Sequence, residues 1–367
     1  MTRAGLYIHI PFCRSRCSYC DFATGLYESE LADRYVRALC EEIQTSATGA
    51  SGVDTVYFGG GTPSLLKPSQ LDRVLCVLQN CFNIDPGAEI TLEINPGSTM
   101  SERLGEFRQL GINRASFGVQ TFDDRELAKL GRSHTAADAR RTFHELRAAN
   151  FNNISFDLIA GLPGQTLAGW QRNVEEALAL QPEHLSFYLL EVHSGTPLAQ
   201  HIQRGLQPVP DEDLAAAMYQ WILERATAAD YEHYEISNLS LPGFASRHNT
   251  KYWIGAPYFG FGCSAHSYDG GSQRWANQRD VLAYVESIEQ GRSPISERQS
   301  LTEQELKAES LFLGFRLMQG VSLELCEAYE ADLHRFREAG LVELEGSRVR
   351  LTRTGALLSN EVFSAFV

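Results

Sequence analysis

Gly5-Leu6-Tyr7-Ile8-His9-Ile10-Pro11-Phe12-Cys13-Arg14-Ser15-Arg16-Cys17-Ser18-Tyr19-Cys20-Asp21-Phe22 joins a strand to a loop of closely spaced thiols. Gly5 to Ile10 is an apolar, β-branched run stopped by Pro11, which predicts a strand. The loop after it spaces Cys13, Cys17 and Cys20 as C-x3-C-x2-C, whereas Cys40, Cys76, Cys81, Cys263 and Cys326 are scattered. A long chain whose start lacks a secretory leader is a poor candidate for a disulfide framework, and clustered thiols in a reducing compartment more often hold metal. A short loop can wrap three thiolates around one corner of a four-iron cluster, leaving one iron without a protein ligand. Such an open position implies ligand exchange or chemistry there, as it does at catalytic zinc. The spacing also admits a zinc site completed by His9 or Asp21, or unliganded core thiols.

Outward from this loop, strands and helices alternate. Further strands are predicted over Asp54–Phe58, Glu89–Ile94, Arg114–Val119, Ile154–Ile159 and His184–Val192. Helical spacing runs over Leu31–Thr45, Pro68–Cys81, Ser101–Leu110 with Ser101 as N-cap, Thr135–Ala149 and Thr166–Leu180. Repeated βα units give an α/β fold with a parallel sheet. Six units are two short of a closed (β/α)8 barrel, so a partial, laterally open (β/α)6 barrel is expected, with function at the C-terminal strand ends. The cysteine loop, Gly59-Gly60-Gly61, Glu93, Gln120 and Asp157 lie at or near such ends.

The pattern changes after Val192. Pro208 and Pro210 mark a linker; a helix over Asp211–Ala229 and a strand over Tyr231–Ile236 follow. Residues 244–275 are rich in glycine and aromatics and low in periodicity. From Thr302 the chain is helical again, with two short strands flanking Gly346, as in a winged-helix-like module. The expected organisation is a barrel core over 1–200, a barrel extension over 201–300 and a mostly helical, winged-helix-like domain over 301–367. Residues 302–367 carry 11 Asp/Glu against 7 Lys/Arg, and the whole 367-residue chain has a net charge of −14. Neither suits a phosphate backbone, so no nucleic-acid partner is expected. No apolar run reaches the roughly 18 residues of a membrane helix. With the leaderless start, that makes a cytoplasmic location the expectation. Gly260-Phe261-Gly262-Cys263-Ser264-Ala265 mimics a dinucleotide fingerprint, but the βαβ context is missing.

The cysteine loop on a βα framework resembles the radical SAM superfamily. That resemblance implies a 4Fe-4S cluster on Cys13, Cys17 and Cys20, with S-adenosylmethionine chelating the fourth iron. Tyr7 to Cys13, Gly59 to Pro63, Phe117-Gly118-Val119-Gln120, Asp157 to Pro163 and the closing module are similar to the oxygen-independent coproporphyrinogen oxidase-like branch. By that resemblance Tyr7, Tyr19, Gly60, Gly61, Thr62, Glu93, Gln120, Arg132 and Asp157 contact S-adenosylmethionine. The true oxidases of the branch carry C-x3-C-x2-C-x-C and an N-terminal cover; here Phe22 stands in the last place and twelve residues precede Cys13. His248-Asn249-Thr250-Lys251-Tyr252-Trp253, with Cys20-Asp21-Phe22, is instead similar to the motifs of the branch's haem chaperones. The resemblance implies haem as cargo, with His248, Tyr252, Trp253 and His266 as candidate contacts. It also implies delivery to an acceptor haemoprotein or respiratory enzyme. The alternative is a radical enzyme acting on a porphyrin, such as coproporphyrinogen III. A tRNA-modifying radical enzyme is disfavoured by the charge.

Overall fold

Strands covered on both faces read as near-continuous apolar runs, and β1 (Ala4–Ile10) is buried at six of its seven positions. The structure, a computed structural model, describes residues 3–46, 52–97 and 101–366; the side chain of Ser101, the expected N-cap, lies outside that description. After β1 come α1 (Ser29–Ser46), β2 (Val53–Gly60), α2 (Pro68–Cys81), β3 (Ile84–Ile94), α3 (Ser101–Gln109) and β4 (Arg114–Gln120). Then follow α4 (Asp124–Lys129), α5 (Ala136–Ala148), β5 (Ile154–Ala160), α6 (Leu167–Leu180) and β6 (His184–Leu189). The six strands pair in chain order, all parallel. Thr135 and Thr166 cap α5 and α6 with their hydroxyls, so each stands one residue outside the helix it was expected to begin. β6 stops three residues short of the expected Val192, which is 38% exposed beyond the sheet.

The second part of the chain extends this sheet. After α7 (Pro197–Gln203) and α8 (Glu212–Thr227), β7 (Glu232–Glu235) and β8 (Asn238–Ser240) form a hairpin whose β8 pairs antiparallel with β6. Residues 244–275, aperiodic in sequence, hold α9 (Arg247–Trp253), β9 (Tyr258–Phe261), β10 (His266–Tyr268) and part of β11 (Gln273–Asn277). Elements of three to seven residues are too short to declare a period. β9 pairs parallel with β1, making a seventh parallel strand. β10, β11 and, after α10 (Val281–Glu289), β12 (Ile295–Ser300) continue antiparallel. The twelve strands run β12-β11-β10-β9-β1-β2-β3-β4-β5-β6-β8-β7, an open barrel with two edges.

The closing module comprises α11 (Glu303–Gly314), β13 (Val321–Ser322), α12 (Glu330–Glu338), β14 (Val342–Glu345) and β15 (Arg348–Leu351). Its small sheet has the order β13-β15-β14, which together with the helices is the winged-helix-like arrangement expected. Among the described residues no helix is long and apolar enough to cross a membrane.

One carboxylate fastens the extension to the barrel. Glu42 on α1 accepts from Gly262 N (2.8 Å), Asn277 Nδ2 (2.6 Å) and the Tyr284 hydroxyl (2.6 Å). Burial pushes its pKa up to about 7. Removing the acceptor strands three buried donors, so Glu42→Ala is expected to cost about 2–5 kcal/mol, read as a lower urea midpoint. A loss below about 1 kcal/mol would show that the extension is held elsewhere.

Candidate functional site

The cysteine loop is fixed where β1 and β2 end. Gly61 N donates to Ile10 O (2.8 Å) and Thr62 N to Phe12 O (2.7 Å), so the glycine segment zips onto the loop's entry. A Cβ on Gly61 would lie 2.7 Å from Phe12 O; one on Gly60, at φ +110°, would lie 2.5 Å from the His9 ring. The chain's own packing therefore demands both glycines. On the far side Ser18 N donates to Leu130 O and Ser18 O accepts from Leu198 N.

Cys13, Cys17 and Cys20 are each half-buried and line one cavity of about 500 Å³. Tyr19, Gly60, Gly61, Glu93, Gln120, Arg132 and Asp157 line it too. Seven of the nine residues expected around S-adenosylmethionine are thus brought together, and two are not. Thr62 sits behind the wall, donating to Cys13 Sγ (3.8 Å) and accepting from Asn95 Nδ2 (2.6 Å). Tyr7 lines the neighbouring hollow, with its ring stacked on Tyr57.

The zinc alternative finds no fourth ligand. His9 Nε2 is 3.0 Å from Ala23 O, and its Nδ1 is 3.1 Å from the Tyr7 hydroxyl. Asp21 turns to Arg279. Among the described residues no three His, Cys, Asp or Glu side chains close on a single ion. Three thiols on the wall of one cavity fit a four-iron cluster with one iron left open. Burial pushes the Cys13 thiol up to about 11 and raises Cys20, so a metal held here would have to displace their protons. Arg132 offers the compensating charge, with Nη1 3.5 Å from Cys17 Sγ. Its Nη2 is engaged by Asn95 Oδ1 and Gly118 O, both at 2.7 Å, so the fork grips the cysteine loop's surroundings instead of standing open for a ligand carboxylate.

The carboxylates stand in a low-dielectric wall. Glu93 accepts from the Tyr57 hydroxyl (2.8 Å) and Gly60 N (3.1 Å), yet burial lifts its pKa to about 7. Burial also raises Asp157, opposed by a hydrogen bond from Ser186 and the charge of Arg114. Gln120, at φ +68°, holds a left-handed conformation at the end of β4, the kind of strain that collects at ligand sites. Asn95, read in the sequence only as a strand stop, also lines the cavity. Its position two residues beyond Glu93, at the end of β3, was the available signal.

Beside this cavity lies a hollow of about 360 Å³ between the cysteine loop and the β9–β10 corner. Tyr7, Tyr252, Tyr258, Phe22 and His266 line it, and Tyr252 meets Tyr258 edge to face at 4.6 Å. His266 is exposed there. A Cβ on Gly260 would lie 2.2 Å from His266 O, so a bare glycine sets where that imidazole stands.

The other two residues of the aromatic motif are placed differently from the expectation. Residues 247–253 are helical, so His248 and Tyr252 are one turn apart and pair with each other. His248 is 1% exposed; its Nε2 is 2.9 Å from the Tyr252 hydroxyl and its Nδ1 2.9 Å from Thr55 Oγ1. Burial pushes its pKa down to about 3. With both ring nitrogens engaged it fastens α9 to β2 and offers no lone pair to iron. Glu89 completes the fastening by accepting from the Arg247 and His248 amides. Trp253, five residues from His248, points away from the hollow and lies under the Arg316 guanidinium at 4.2 Å.

Residues 7–177 match the family model described as Radical SAM superfamily, and residues 301–358 that of the HemN C-terminal domain. The chain is 38% identical to "Heme chaperone HemW" of Bacillus subtilis over 98% of both chains. It is 42% identical to the protein of that name from Synechocystis, over 86% of this chain and 78% of the other. The solved coproporphyrinogen III oxidase of Escherichia coli has the same fold: TM-score 0.86, 23% identity, all of this chain and 90% of that one. Fold and strand-end cavity together define a radical SAM protein. Within that class the chain belongs to the HemW family of haem chaperones.

His248→Ala is expected to lower stability by about 2–4 kcal/mol, because Thr55 and Tyr252 lose a buried partner and a cavity opens. Urea unfolding monitored by circular dichroism measures this. Unchanged stability would return His248 to the list of residues free to bind a ligand.

Proposed function

We propose that this chain carries haem in the aromatic hollow and passes it to an acceptor haemoprotein or respiratory enzyme. In this reading the adjoining cavity holds a 4Fe-4S cluster and S-adenosylmethionine. The observation that carries it is the hollow itself: an aromatic wall presenting one exposed imidazole, His266, across a shared partition from three thiols. Aromatic rings give contact area to a flat macrocycle, and a neutral imidazole is an iron ligand. The hollow is partly walled by exposed groups, among them Phe22 and His266, which suits a cargo that must leave again. The names of the relatives support the same reading.

Cys13, Cys17 and Cys20 are the residues to hold the cluster, which when bound supplies an electron and an iron with an open position. Gly60 and Gly61 let the ligand approach bare backbone. Glu93 and Asp157 accept from its ammonium and hydroxyl groups, Gln120 and Tyr19 close its sides, and Thr62 and Arg132 hold the cysteine loop in place. A porphyrin-transforming radical enzyme is the second reading, favoured by the fold shared with coproporphyrinogen III oxidase. Anaerobic turnover of coproporphyrinogen III by the reconstituted protein would establish it.

Three outcomes are expected. Cys13→Ala, Cys17→Ala and Cys20→Ala each lose most iron and acid-labile sulfide, whereas Cys76→Ala keeps both; full cluster content in Cys17→Ala would refute the assignment. Haem titration gives a changed Soret band and at least about tenfold weaker binding in His266→Ala, with His248→Phe near wild type wherever it folds. Finally, S-adenosylmethionine carries a positive charge, so its affinity should follow ionised Glu93. Binding weakens as pH falls through about 7, where Glu93 takes up a proton, and strengthens above it. Calorimetric titrations across that range should show this slope in wild type and a flat, weaker profile in Glu93→Gln. A flat wild-type profile would remove Glu93 from the cationic contact.

A further inference from the structure

The two cavities share the turn Cys20-Asp21-Phe22. Asp21 and Phe22 line both. Phe22 is 67% exposed, an unusual position for so large an apolar ring, and stands as a partition between them. One side chain of the hollow grips this partition from behind. Arg279, in the loop after β11, donates from Nη2 to Asp21 O at 2.5 Å, and the same nitrogen is 3.5 Å from Asp21 Oδ1. Its Nε and Nη1 make no hydrogen bond among the described residues, and its side chain is 65% exposed. Gln278, the residue before it, accepts from Ser264 N, so the Arg279 loop is tied to the corner that carries His266. Arg279 is also the only lysine or arginine on the described wall of the hollow.

Haem has an apolar face for the tyrosines, an iron for an imidazole and two carboxylates on one edge. Those carboxylates need a cation at the rim, and a guanidinium with a spare Nη2 hydrogen beside an unengaged nitrogen is the group that can fork onto one. We infer that Arg279 anchors a haem carboxylate while still holding Asp21, and that haem occupancy is thereby coupled to the cysteine turn. The inference rests on the reading that haem occupies the hollow. The sign follows from geometry. Nη2 keeps one hydrogen on the backbone of Asp21, and its second hydrogen together with the free nitrogen beside it takes the carboxylate, so each contact pre-orients the guanidinium for the other. A cluster that orders the turn therefore tightens haem, and haem tightens retention of the cluster by the same factor, since coupling between two sites is reciprocal.

The test is a haem titration, read at the Soret band, into the full chain with its cluster reconstituted anaerobically and into the cluster-free chain. Wild type, Arg279→Ala, Arg279→Lys and His266→Ala are compared. Wild type is expected to bind haem about fivefold more tightly with the cluster than without it, at the lower end of usual coupling factors. Arg279→Ala should bind more weakly in both forms, with the ratio reduced to one. Arg279→Lys should recover part of the affinity and none of the ratio, because a freely rotating ammonium on one contact does not pre-orient a donor for the other. In parallel, bound haem should slow iron loss to a chelator in wild type by a similar factor and leave Arg279→Ala unchanged. Wild-type affinity or an unaltered ratio in Arg279→Ala overturns the inference. If His266→Ala leaves affinity and spectrum unchanged, haem is seated elsewhere and the functional reading falls with it. If His266→Ala alters both while Arg279→Ala keeps the coupling, only the role of Arg279 is lost.

Discussion

Two backbone hydrogen bonds, Gly61 N to Ile10 O and Thr62 N to Phe12 O, hold the cysteine loop against the end of β2. Everything functional is hung from this contact. It requires bare glycine, since a Cβ on Gly61 would lie inside contact distance of Ile10 O and Phe12 O. It places Cys13 against Thr62, Thr62 against Asn95 and Asn95 against Arg132, whose guanidinium reaches back to Cys17. The thiols are thereby positioned by a ring of polar contacts whose members come from the ends of β1, β2 and β3 and from the loop after α4. A shift of the glycine backbone would pass through all of them, because a packed polar network has few ways to yield locally.

The same contact explains why the barrel core was legible in the sequence. Where both faces of a strand are covered, the apolar run, its Gly or Pro stop and the polar residue at its end stand in a fixed order, and β1 to β6 follow it closely. Glu93, Gln120 and Asp157 could be assigned to one rim from their strand positions alone. Three things were not legible. The extension over residues 244–275 builds its elements from pieces too short for periodicity, so a parallel partner of β1 was hidden in a glycine-rich stretch. The helical state of residues 247–253 was hidden as well, and with it the meaning of the His248, Tyr252 and Trp253 spacing. At four residues two side chains pair along one face; at five the third is turned to another neighbour. The third was Arg279, an exposed arginine in a loop, distinguished only by what the fold brings to it.

Burial divides the titratable residues of the site by task. Groups that fasten one element to another are enclosed and already paired, as with Glu42 to Gly262, Asn277 and Tyr284, Glu89 to the α9 amides and His248 to Thr55 and Tyr252. Groups facing the cavities keep unused capacity: three thiols, the Glu93 carboxylate, the His266 imidazole and two nitrogens of Arg279. A motif that mixes the two kinds, as the aromatic one does, cannot be read as a single ligand set. Its histidine locks the helix, and the tyrosine it holds shapes the hollow.

A sheet that stops short of closure keeps two unpaired edges, each a template for another chain's strand. Here the edges are protected by different means. At β7, Tyr234 O accepts from Met318 N and Ile236 N donates to Arg316 O, so the segment entering the closing module occupies part of that rim. Among the described residues β12 has no such cover: five of its six residues are exposed, and its sequence Ile295-Ser296-Glu297-Arg298-Gln299-Ser300 places opposite charges side by side. A charged, hydrophilic border of this kind repels a flat neighbouring strand and discourages stacking between copies. The sheet thus stays unclosed with its borders guarded against strand pairing between copies.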